Sequence, residues 1–133
     1  MRFVVSSPLL RNVLIVDAAF SAASGVLLLA GGAALAGAFG LSPTLVLCVG
    51  VFCLVYAIFV GSLGLAPMLP RGIVWLVVAG NTIWAIESIA LLSQVQPTSL
   101  GLAAIVGQAT VVAALAAGQW IGLKRSAPAP TSV

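Results

Sequence analysis

Four long apolar runs, separated by short turns, set the plan of this chain. The first extends from residue 8 to about residue 38, behind Ser7-Pro8, a capping residue followed by proline at the first helical position. Phe39-Gly40-Leu41-Ser42-Pro43 turns the chain and repeats the cap-then-proline signal. The second run covers residues 43–65, and Ala66-Pro67-Met68-Leu69-Pro70-Arg71 ends it with two prolines. The third covers 71–93, Gln94-Val95-Gln96-Pro97-Thr98 is the next turn, and the fourth covers 98–123. Each run is long enough to cross a bilayer, which takes about 20 residues of helix. Turns this short force neighbouring helices to alternate in direction. The predicted fold is therefore an all-α membrane protein, a bundle of four transmembrane helices running up-down-up-down. Residues 1–125 are one transmembrane domain, and residues 126–133, rich in Ser, Ala and Pro, are expected to form a disordered cytoplasmic tail.

The polar residues inside the runs fall on faces. Asp17, Ser21 and Ser24 follow helical spacing with Leu28, and so do Asn81, Trp84 and Ser88 with Leu91, with Glu87 beside Trp84. On the fourth helix Ala104, Gln108, Leu115 and Gln119 share a stripe. The second run has no charge; it has instead a small-residue face with Gly50, Ala57, Gly61 and Gly64, read as a helix-packing surface. At about 1.5 Å per residue, Asp17 lies about 13 Å above Pro8 and Asn81 about 16 Å above Pro70, at one level. Glu87 and Gln108 share a second level further from the chain ends, and Gln119 lies near the level of Arg11. Turning the stripes inward pairs Asp17 with Asn81 and Glu87 with Gln108.

Composition agrees with lipid as the solvent. The 133 residues are 62% hydrophobic and 5% charged, against about 25% charged in a soluble domain. The formal charge of +3 does not point to nucleic acid, because the five basic residues sit near helix ends. Arg2, Arg11, Arg71, Lys124 and Arg125 all fall on one side of the bundle, and the turns near residues 40 and 96 carry none. By the positive-inside rule both termini are cytoplasmic. Arg11, a turn inside the first span, reaches back to lipid headgroups. Trp75 and Trp120 read as interfacial anchors, and Trp84, at mid-depth, as core filler or cavity lining. Residues 1–36 have the basic start and small-residue end of a signal peptide, but Asp17 within the apolar region opposes cleavage.

Chemistry-bearing motifs are few. The chain has no histidine, and Cys48 and Cys53 point about 140° apart on one helix, so they read as small packing residues. No metal site, cofactor or catalytic constellation is expected. Gly31-Gly32 and the Ala/Gly-rich residues to Gly37 read as helix-packing material. Aligning Asp17 with Asn81 also aligns Phe20 with Trp84 and Ser24 with Ser88; Gly50 and Gly61 match Gly107 and Gly118 at the same spacing of eleven. This weak repeat suggests two hairpins about an axis along the membrane normal.

Ser7-Pro8-Leu9-Leu10-Arg11 followed by Asp17, then Gly80-Asn81 and Trp84, and Gln119-Trp120-Ile121-Gly122-Leu123-Lys124, resemble small four-helix integral membrane proteins of bacteria over nearly the whole chain. The resemblance implies a bacterial inner membrane and no particular activity. Fluoride channels and small multidrug exporters are similar in size, but this chain lacks their signature motifs and their balanced flanking charge.

An acid at mid-membrane costs roughly 2.5–3.5 kcal/mol on insertion scales, so Asp17 and Glu87 need a reason to be there. One reason is adhesion: the acids, Asn81, Gln108 and Gln119 hold helices together in a non-enzymatic accessory or assembly subunit, or in a homo-oligomer. The other is exchange: Asp17 and Glu87 handle protons or cations in a small coupled transporter or channel. The orientation has a direct check. Alkaline phosphatase fused to the C-terminus should be inactive and a fluorescent protein fused there should fluoresce; an active phosphatase would reverse the orientation.

Overall fold

The computed structural model describes residues 2–130. Its body is four helices: α1 (Pro8–Phe39), α2 (Pro43–Leu65), α3 (Arg71–Leu91) and α4 (Ser99–Lys124). All four are long and apolar enough to cross a membrane, with mean hydropathy of 1.6 to 2.6 over their most apolar windows. The caps at Ser7 and Ser42 are those expected, and Thr98 adds a third. Ser7 Oγ accepts from Leu10 N, Ser42 Oγ from Leu45 N, and Thr98 Oγ1 from Gly101 N, at 3.0 to 3.1 Å. Gly40, at φ 69°, ends α1 in the left-handed region, where an L side chain would be strained.

Three short strands, β1 (Phe3–Val5), β2 (Met68–Pro70) and β3 (Ala127–Pro128), tie the basic end together in the antiparallel order β2-β1-β3. Sequence pattern does not reveal them, because segments of two or three residues carry no periodicity. They correct one expectation. Residues 126–130 are not a disordered tail: Ser126 Oγ accepts from Ser7 N at 3.0 Å and donates to Gly122 O at 2.9 Å, and Ala129 N donates to Phe3 O at 3.0 Å. The prolines of the sheet lie on its edge strands, where a missing N–H is tolerated. The remainder of the expected tail, residues 131–133, lies outside the described residues.

At the opposite, uncharged end, Thr98 clasps the end of α1. Its N–H donates to Phe39 O at 3.0 Å and its hydroxyl to Ala38 O at 2.6 Å. The sheet and this clasp fix the alternation of the helices: α1 and α3 leave the basic end, and α2 and α4 return to it.

Packing within the ring is uneven. α1 packs along α2, α3 along α4, and α1 along α4, whereas α2 and α3 approach chiefly through side chains. Glycine explains the close edges. A Cβ on Gly122 would lie 2.7 Å from Leu10 Cα, and one on Gly118 would be 3.2 Å from Val13 Cγ1. Gly101 leaves no room for a Cβ against Phe39 O. On the α1–α2 edge, Gly50 abuts Leu29 and Gly64 abuts Ile15, with Gly61 over Ala18. The glycine face of α2 is therefore consumed inside the monomer.

Gly31-Gly32 departs from its expected packing role. Gly32 has φ 48° and ψ −130°, and nothing lies within 4 Å of the Cβ position. It kinks α1. A straight helix of 32 residues would be about 48 Å long, well beyond the roughly 30 Å of hydrocarbon. The kink turns the last stretch, Ala33–Phe39, away from the original axis.

The packed core belongs to the basic half. Val4 and Leu69 from the sheet join Leu10, Leu14, Val60, Val74, Val77 and Leu123, each no more than 2% exposed. The proposed repeat shows in which residues face inward but not in the packing: α1–α4 is close, and its counterpart α3–α2 is not. Gly50 is packed, while its match Gly107 faces open space.

Gly122→Val, which drives side-chain atoms into the α1 backbone, should lower stability by about 2–3 kcal/mol. Gly107→Ala should be neutral or gain up to about 1 kcal/mol from helix propensity. Thermal unfolding in mild detergent reads both; a Gly122→Val protein that melts like the parent would contradict the close α1–α4 contact.

Candidate functional site

Just above the packed core, four polar side chains from four helices meet. Asp17 Oδ2 accepts from Asn81 Nδ2 at 2.8 Å, Gln119 Nε2 at 2.6 Å and Tyr56 Oη at 2.9 Å. Asn81 Nδ2 also donates to Gln119 Oε1 at 3.0 Å. Tyr56 Oη lies 2.9 Å from both Asp17 Oδ2 and Asn81 Oδ1, so its single proton serves both. Asp17 is 1% exposed and Gln119 0%. Ser21 Oγ stands 3.5 Å from the other carboxyl oxygen, a weak contact.

Helix direction explains how they meet. A side chain leans toward the N-terminus of its own helix. α4 descends toward the basic end, so Gln119 leans up; α1 and α3 ascend, so Asp17 and Asn81 lean down. The sequence placed Gln119 beside Arg11, below Asp17, from backbone height alone. Its amide reaches Asp17 because Gly118 and Gly122 bring α4 against α1 and the lean supplies the rest. The expected Asp17–Asn81 pair is present.

Tyr56 is the member that sequence reasoning missed. It is the chain's single tyrosine, in a span read as having no polar stripe. The same height arithmetic finds it: Tyr56 is about 14 Å above Leu65, level with Asp17 and Asn81.

Above this knot, toward the uncharged end, the helices separate around a half-open space. A cavity of about 510 Å³ runs between the helices, with the knot's Asp17, Tyr56 and Asn81 as its floor. Its walls are mostly apolar, including Phe20 and Leu28 of α1, Val49 and Phe52 of α2, and Ile105 and Val112 of α4. Phe39 and Leu41, beyond the α1 kink, also line it. Three aromatic rings fill the gap between α2 and α3. Phe52 stacks on Trp84 with centroids 5.1 Å apart and on Tyr56 at 6.1 Å.

The second polar level differs from expectation. Gln108 does not pair with Glu87: Gln108 Oε1 accepts from Trp84 Nε1 at 3.0 Å, and its Nε2 donates to Ile105 O at 3.2 Å. A buried indole N–H requires an acceptor, and Gln108 supplies it. Glu87 is exposed and lines the cavity, and among the described residues no side chain hydrogen-bonds to it. Trp84 is half-buried and lines the same space. Cys53 also lines it, whereas Cys48 is exposed on the outside of the bundle rather than packed. Arg11 is exposed near the basic end, and the Lys124 ammonium lies 3.8 Å above the Trp120 ring. No basic residue lines the cavity among the described residues.

Compared with known proteins, the chain matches no family model, no curated protein and no solved structure.

The arrangement separates the two acids. Asp17 is enclosed, with three hydrogen bonds to its Oδ2; Glu87 is exposed and has no hydrogen-bond partner among the described residues. Replacing Asp17 by Leu strips the acceptor from two amides and a phenol, and should cost about 2–4 kcal/mol. Tyr56→Phe should cost about 1 kcal/mol. Unfolding in graded denaturing detergent checks both, and an Asp17→Leu protein as stable as the parent would show that the knot does not hold the bundle.

Proposed function

We propose that this is a small, non-enzymatic, multi-pass protein of the bacterial inner membrane that binds an amphipathic small molecule inside its bundle. The cavity carries this reading. Its volume of about 510 Å³ falls in the range of small-molecule sites, about 300–1,000 Å³, and its apolar wall with a few convergent polar groups is what such sites have. The α2–α3 side is bridged by side chains rather than by close backbone contact, so a rotation of Phe52 or Trp84 would admit a molecule dissolved in lipid there. The five basic residues at the opposite end support cytoplasmic termini, and with that orientation the half that holds the cavity would face the outer leaflet. The bacterial assignment leans on the resemblance to bacterial four-helix proteins.

Coupled transport is less well supported than binding. A relay from Glu87 through Asp17 would have to continue across the core of Leu10, Leu14, Val74 and Leu123, which is packed and apolar. The accessory-subunit or homo-oligomer reading loses one argument, since the α2 glycine face is spent on α1. It keeps another: a shallow groove on the outer surface of α1 and α2, with Ala18, Ala19, Ala22 and Ala57 between Ile15, Leu54 and Ile58, where the alanines would let a second helix approach. Native mass spectrometry after mild extraction distinguishes a monomer from such a complex.

The binding reading is tested with Trp84 as reporter. In a Trp75→Phe/Trp120→Phe background in lipid nanodiscs, 1-bromooctane should quench Trp84 saturably. Ser24→Phe, which fills the cavity wall, should weaken that binding by about tenfold or more without lowering the melting temperature. Quenching that merely follows partition into lipid, unchanged by Ser24→Phe, would contradict a binding cavity.

A further inference from the structure

Glu87 and the stacked Trp84, Phe52 and Tyr56 rings of the cavity say more about what it would hold. We infer that its preferred occupant is a lipophilic cation, an organic ammonium or pyridinium with an apolar body, whose charged head sits beside Glu87. This rests on the binding reading above and adds the chemical class.

The argument begins with elimination of Asp17 as the head-group site. Asp17 Oδ2 already accepts three hydrogen bonds, and the residue is 1% exposed. An incoming charge would have to break the knot to reach it. Glu87 is the reverse case. It lies six residues further along α3 than Asn81, about 9 Å nearer the uncharged end, and it faces the cavity with Gln108 already committed to Trp84. An acid in an apolar span without a partner is expensive, and a cationic ligand supplies the missing partner.

The surroundings select the same charge. Trp84 precedes Glu87 by three residues on α3, so both share a helix face. The Trp84–Phe52–Tyr56 stack borders the same cavity; Phe52 lies between the other two rings, and a ring face left uncovered at the end of the stack attracts a cation by about 0.5–2 kcal/mol. No Lys or Arg lines the space among the described residues, so nothing there would compensate an anion. Leu28, Val49 and Ile105 receive the apolar body. A neutral amphiphile gains the apolar contacts alone, and an anionic one meets the Glu87 carboxyl group.

The test uses matched octyl probes on the Trp84-only protein in nanodiscs of zwitterionic lipid: N-octylpyridinium, which is a permanent cation, the neutral 1-bromooctane, and octyl sulfate as competitor. The expected result is saturable quenching by N-octylpyridinium, weakened about tenfold or more by Glu87→Gln, a far larger loss than the same variant shows with 1-bromooctane. Glu87→Asp, which keeps the charge, should stay within about threefold of the parent. Should Glu87→Gln fail to fold, competition on the parent protein decides: octyl sulfate should not displace N-octylpyridinium. Equal affinity for the cation in Glu87→Gln, or displacement by octyl sulfate, overturns the cation preference while 1-bromooctane binding leaves the cavity reading standing. Failure of both octyl probes to saturate overturns both.

Discussion

The structure depends on one oxygen atom, Oδ2 of Asp17. Three other helices reach it, through Tyr56, Asn81 and Gln119. Among helices this apolar an unmade hydrogen bond has little water to fall back on, so four polar side chains that would each be costly alone satisfy one another. Their meeting point also divides the bundle. Below it, the sheet, Leu10, Leu14 and Leu123 close a dry core; above it, the helices separate around a cavity. The knot is thus both a structural centre and the floor of the site.

Asymmetric use of glycine produces that division. Gly101, Gly118 and Gly122 draw α4 against α1, and Gly50 and Gly64 seat α2 on α1. α1 becomes the spine to which α2 and α4 are fixed, and α3 is carried by α4. The remaining edge, between α2 and α3, has no glycine contact of this kind and is bridged by Phe52, Tyr56 and Trp84. Large flat side chains hold backbones apart where glycines would let them close. The kink at Gly32 then brings Phe39 and Leu41 to the wall of the cavity.

Most of the fold was legible in the sequence. The caps at Ser7 and Ser42, the prolines, and the apolar lengths placed every helix boundary within two residues. The Asp17–Asn81 contact followed from height and face. What remained hidden shares a cause: it depends on the distance between helices, which periodicity does not encode. Gln119 reached the knot because glycines brought α4 close, and Trp84 took Gln108 from Glu87 because the indole needed an acceptor. Tyr56 was overlooked because its span was judged by charge alone. The small sheet and the ordered Ser126 arose from hydrogen bonding between short segments, which composition cannot register. The cavity itself is a packing result; no residue pattern announced it.

The most direct measurement is of the knot in lipid. In solid-state NMR spectra of the protein in bilayers, labelled at Asp, Asn and Gln, the account predicts through-space correlations from the Asp17 Cγ to the side-chain amide nitrogens of both Asn81 and Gln119. Correlations to neither, with the helices intact, would contradict it and remove the floor on which the cavity rests.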